Sequence, residues 1–226
     1  MQFCAAWWDM LLEFILLVAA VFIGLGVERN RRPKLILSKG PSTDAPRNKR
    51  DSRSRSRWLH VAVSNQRMPS CLGWALARDP AQRCKAIVRF WRNDGTPLFP
   101  DDDNPQVSKP MLARWSGLEI PQPVDPLTKR FDFSALSLGL RQDIGGGEDA
   151  VFNVAVATEV NGKVICYGWT YDGPYWYGVE KQPDEWIIPE GTHLVQALVT
   201  TGGMEFPKQF QLTYEGSVES LDLEEL

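Results

Sequence analysis

Few side chains in this sequence could carry catalysis or hold a metal. His60 and His193 are the only histidines, and with Cys84 and Cys166 they could ligate a borderline metal or move a proton near neutral pH. Both histidines lie in or beside strand-like stretches, which suits packed or surface residues; a ligand pair with Cys84 or Cys166 is the alternative. "DDDN" at 101–104 sets four oxygen-bearing side chains in one loop. Calcium would suit them, but the spacing of an EF-hand loop is missing and further ligands would be needed. The chain contains no G-x-S-x-G, P-loop, HExxH or dinucleotide-binding glycine pattern. Gly145–Gly147 is a bare glycine run before a strand and reads as a loop. No metal, no cofactor and no catalytic residue is therefore expected.

The strongest candidate for recognition is "YGWTYDGPYWYG" at 167–178. Tyr167, Trp169, Tyr171, Tyr175, Trp176 and Tyr177 are close together around an Asp172–Gly173–Pro174 turn. Tyrosine and tryptophan anchor interfaces and stack on sugars or peptides, because each combines a large apolar area with a polar tip. The competing expectation is that these rings fill the core or cover one end of it.

A second cluster of chemistry lies in an unexpected place. Asp9 and Glu13 sit within an apolar run from Phe3 to Val27. About 20 apolar residues at 1.5 Å rise suffice to cross a bilayer. On a helix turning about 100° per residue, Asp9, Glu13, Leu16, Ala20 and Gly24 share one narrow face. Ala20 and Gly24 form a small-xxx-small pair that lets two backbones approach. Protonated carboxyl groups could hydrogen-bond across such an interface, or meet a cation on a partner span. Alternatively, both acids reach the headgroups beside Trp7 and Trp8, as an aromatic belt would.

The flanks of this run give it a direction. No Lys or Arg precedes it, whereas Arg29, Arg31, Arg32 and Lys34 follow. These four are expected to contact lipid headgroups and to keep the C-terminal domain on the cytoplasmic side. A cleavable signal peptide would want a basic start and an Ala-x-Ala-like site, and neither is present. Four cysteines (Cys4, Cys71, Cys84 and Cys166) without CxxC spacing suit free thiols in a reducing compartment. The net charge of −3 gives no support to nucleic-acid binding.

The soluble part must position everything else. Eleven per cent aromatic residues provide a substantial core, and 18 Gly with 16 Pro interrupt short apolar runs. Residues 57–65, "RWLHVAVSN", alternate as a sandwich strand with Leu59, Val61 and Val63 on one face. "NG" at 161–162 and "GG" at 202–203 mark hairpins. Residues 41–57 contain almost no apolar side chain and are expected to form a flexible linker. Its Arg/Ser alternation could meet anionic lipid under control of phosphorylation. The last residues, "EGSVESLDLEEL", are expected to be frayed or briefly helical.

The expected organisation is an anchor at 1–28, a basic juxtamembrane segment at 29–57, a sandwich domain at 58–214 and an acidic tail at 215–226. The fold class is all-β: an antiparallel β-sandwich preceded by one transmembrane helix. The closing stretch "GTHLVQALVTTGGMEFPKQFQLTY" (191–214) resembles the last two strands of an immunoglobulin-like sandwich. The chain as a whole is similar to uncharacterised single-span membrane proteins carrying such a domain. That resemblance implies binding or assembly rather than catalysis.

The expected function is a cytoplasm-facing interaction or scaffold module. Its expected partners are the bilayer, anionic lipids, and a second copy or another membrane protein through the span. An extracytoplasmic carbohydrate- or partner-binding domain is the alternative, and a membrane-bound hydrolase the third choice.

Overall fold

A computed structural model describes residues 2–48, 51–68, 77–116, 141–160, 162–169 and 186–226. Helix α1 (Gln2–Arg31) is one continuous helix of 30 residues. Its stretch Met10–Arg31 is apolar and long enough to cross a membrane, and none of it is buried against the domain. Glu13, Leu16, Ala20 and Gly24 are all exposed, and Asp9 lies on the same helix.

Among the described residues twelve strands follow: β1 (Leu35–Lys39), β2 (Thr43–Asn48), β3 (Asp51–Asn65), β4 (Ala81–Arg92), β5 (Met111–Leu112), β6 (Gln142–Ile144), β7 (Asp149–Val160), β8 (Lys163–Gly168), β9 (Ile187–Ile188), β10 (Gly191–Thr201), β11 (Met204–Tyr214) and β12 (Asp222–Glu225). They build two antiparallel sheets. The first runs β1-β3-β7-β8-β9, with β2 also on β3; the second runs β12-β11-β10-β4-β5, with β6 also on β4.

One continuous core lies between the sheets. It takes Leu59, Val61, Val63, Phe152 and Ile188 from the first and Phe90, Val195, Phe210 and Leu212 from the second. The alternation of residues 57–65 is what places Leu59, Val61 and Val63 inside. A bulge between Leu59 and His60 puts one extra residue in β7, so Val154 and Ala155 are both buried. Residues 111–116 bridge the layers. Ala113 N–H donates to Ala86 O at 2.9 Å in the second sheet, and Ser116 N–H donates to Val151 O at 2.6 Å in the first. Trp115 sits between them, fully buried, its ring 5.4 Å from Phe152 and its indole N–H on Cys84 O at 3.2 Å. Tyr214 of β11 donates to Val164 O of β8 at 3.0 Å, a second tie between layers.

The "GG" signal falls where a hairpin needs it. Thr201 pairs with Met204 across Gly202 and Gly203, whose φ values of 54° and 80° suit a type I′ turn.

Two expectations are corrected. Within the stretch expected to be a flexible linker, residues 43–48 and 51–57 are strand. Strand β2 and the first part of β3 pair antiparallel, with Thr43 opposite Trp58 and Asn48 opposite Asp51. The pairing extends the register that β1 makes with the apolar half of β3, so backbone hydrogen bonds carry a segment with little to bury. Gly40 joins β1 to β2 so close to β3 that a Cβ there would lie 2.9 Å from His60 O. The acidic tail is not frayed or helical either. Strand β12 pairs with β11, and Leu221 and Leu223 are buried. Lys39 clamps it from β1: its N–H donates to Glu225 Oε1 and its ammonium to Asp222 Oδ1, both at 2.8 Å.

Candidate functional site

The aromatic candidates divide. Tyr167 and Trp169 lie on the outer face of the first sheet, in a small cluster with Val156 that Trp58, Ile165 and Ile187 adjoin. Trp58 and Trp169 meet edge to face with centroids 4.4 Å apart. Tyr167 is 5% and Trp169 4% exposed, so in this arrangement both are packing residues. Tyr171, Tyr175, Trp176 and Tyr177 lie outside the described residues, as does Cys71.

Each histidine holds a hydrogen bond through its Nε2, and both thiols are buried. His60 Nε2 shares a hydrogen bond with Thr43 Oγ1 at 3.1 Å, tying β2 to β3, and burial lowers its pKa. His193 Nε2 donates to Pro189 O at 2.8 Å. Cys84 and Cys166 are buried free thiols, and burial pushes both pKa values up, which makes them inert. The acidic loop is turn chemistry. Asp101 caps the N–H of Asp103 at 3.0 Å, and Asp102 pairs with Lys109 at 3.2 Å. Among the described residues no three His, Cys, Asp or Glu side chains gather as a metal site would need.

What the fold does assemble is a basic groove where α1 meets the sandwich. Only Arg32, Pro33 and Lys34 separate α1 from β1. The junction is tied down around Asn65, which is fully buried. Its amide oxygen accepts the N–H of Lys34 at 3.1 Å; its amide nitrogen donates to Asp79 O at 3.0 Å and Ile144 O at 3.1 Å. Asp79 N–H caps the helix by donating to Arg31 O at 2.7 Å, and its carboxylate pairs with the Arg31 guanidinium at 3.0 Å. Arg78 donates to Arg32 O at 2.8 Å.

These ties flank an open groove of about 620 Å³ lined by Arg29, Asn30, Arg32, Pro33, Lys34, Gln66, Arg67 and Arg78. Five of the eight are cationic and none is acidic. Of the four residues expected to meet headgroups, Arg29, Arg32 and Lys34 line the groove, while Arg31 is spent on Asp79.

Arg67 and Arg78 were not foreseen, because they come from the connection after β3 and only the Asn65 contacts bring them here. The glycine run now has a purpose. A Cβ on Gly146 would lie 2.9 Å from Arg78 O, and one on Gly147 would overlap the Arg67 side chain. Side chains in that loop would displace both arginines. No family model, curated protein or solved structure matches this chain.

Proposed function

We propose that this chain is a single-span, membrane-anchored interaction module: an immunoglobulin-like β-sandwich held against the cytoplasmic face of a bilayer by α1. The observation that carries this reading is the junction. An apolar helix with no burial in the domain needs lipid or another helix around it. It ends in a basic cluster, and the cluster is stitched to the sandwich by the buried Asn65 and by Asp79. A cleavable leader has no need of such fastening.

The basic flank supports the cytoplasmic side, and the free buried cysteines suit a reducing compartment. Two antiparallel sheets packed around a shared core support a sandwich of the immunoglobulin-like kind, with Trp115 at its centre and a Tyr214 hydrogen bond between the layers. Self-association would use Glu13, Leu16, Ala20 and Gly24 together with Asp9. A Cβ on Gly24 would meet nothing within 4 Å, which leaves that face open to a partner helix.

Alkaline carbonate extraction of membranes, with intact-mass analysis of the chain, tests the anchor. Retention in the pellet at full length is expected. Recovery of a soluble chain shortened by α1 would make that helix a signal sequence and return the domain to the extracytoplasmic alternative.

A further inference from the structure

We infer that the groove at the junction is a binding site for the phosphate of an anionic lipid headgroup, deepening the anchored reading above and resting on it. The groove volume of about 620 Å³ is of ligand size. Its lining brings Arg29, Arg32 and Lys34 from the end of α1 against Arg67 and Arg78 from the domain. Guanidinium groups present planar forks of N–H donors that match phosphate oxygens in pairs.

The positive charge is unspent. Among the described residues none of these five side chains is in an ion pair, and the acid of the junction, Asp79, is engaged by Arg31. Arg78 commits one guanidinium nitrogen to Arg32 O, while its Nε is buried with no hydrogen-bond partner among the described residues. A buried cationic donor without an acceptor is costly, and an anion in the groove would supply one.

The groove is also built rather than incidental. Gly146 and Gly147 leave room for the Arg78 backbone and the Arg67 side chain, and Gly147 is held by its N–H on Asn65 O at 2.7 Å. Position favours lipid as the source of the phosphate. The groove opens at the C-terminal end of the span, where headgroups lie, and each basic residue near an anionic surface carries about 1 kcal/mol of attraction, or roughly fivefold.

The test uses the full chain in detergent, probed by native mass spectrometry. The probes are phosphatidylinositol phosphate, phosphatidylcholine and a soluble inositol phosphate without acyl chains. Retention of phosphatidylinositol phosphate over phosphatidylcholine is expected, and R67Q/R78Q should weaken it roughly twenty- to thirtyfold. Gly147→Val, which moves Arg67 without removing charge, should weaken it as well. Lys85→Gln, an exposed change on β4, should leave it unchanged.

Equal retention of both lipids, or selectivity that survives R67Q/R78Q, would overturn the proposal. Equally tight groove-dependent binding of the soluble inositol phosphate would overturn lipid as the source. Failure of the anchor itself would look different: a shortened soluble chain in carbonate extraction, rather than an intact chain without headgroup selectivity.

Discussion

The side-chain oxygen of Asn65 accepts the backbone N–H of Lys34 across 3.1 Å, joining the last residue of β3 to the first residues after the helix. This contact ties the segment after α1 to the core of the sandwich. The same amide also satisfies the carbonyls of Asp79 and Ile144, so one buried side chain serves three segments.

Asn65→Ala should therefore cost more than a surface change. It leaves an N–H and two carbonyls without their partner, at about 1–3 kcal/mol for each buried group left unsatisfied. A lowered thermal midpoint is expected in detergent-solubilised protein, together with faster proteolysis between α1 and β1. An unchanged midpoint would mean that the junction is not fastened as described.

Leu223→Ala should destabilise by about 2–5 kcal/mol, because the side chain is only 1% exposed and joins the core that both sheets share. Chemical denaturation measures this directly. A negligible effect would restore the tail to a frayed end.

The outer cluster predicts a coupled pair. Trp169→Ala should cost about 3–5 kcal/mol. In a double-mutant cycle, the edge-to-face contact with Trp58 should appear as roughly 0.5–1.5 kcal/mol of coupling. Full stability in Trp169→Ala would show instead that the ring is available to a ligand.

Stability should also depend on pH through His60. Burial holds its folded pKa below the ordinary 6.5, so the unfolded chain takes up the proton first as pH falls. This contribution is complete above pH 6.5 and is lost as pH drops from there toward the folded value. His60→Gln should flatten that part of the profile of unfolding midpoint against pH. An identical slope in the variant would assign the dependence to other groups.

How much of this was legible in the sequence depended on whether apolar residues marked the element. The helix, the inward face of β3 and the β10–β11 hairpin each carry an apolar period or a glycine turn, and all three are found where the pattern sets them. Residues 43–48 and 51–57 carry neither, because their order comes from the backbone of β2 and β3 in register with each other. In the tail, Leu221 and Leu223 alternate in the manner of a half-buried strand, but the surrounding acids obscured it. Arg67 and Arg78 could not have been assigned to the groove from spacing. They reach it only through contacts between residues as far apart as Asn65 and Ile144.

The central claim is that the sandwich is anchored on the cytoplasmic side. Cys84 and Cys166 are too deeply buried to report on it. A reporter is available in Asp103→Cys, at an exposed loop position, with Cys4 and Cys71 replaced by serine. The decisive measurement is reaction of that thiol with a membrane-impermeant maleimide in intact and in permeabilised cells. Reaction only after permeabilisation is predicted. Reaction in intact cells would place the domain outside and contradict the account.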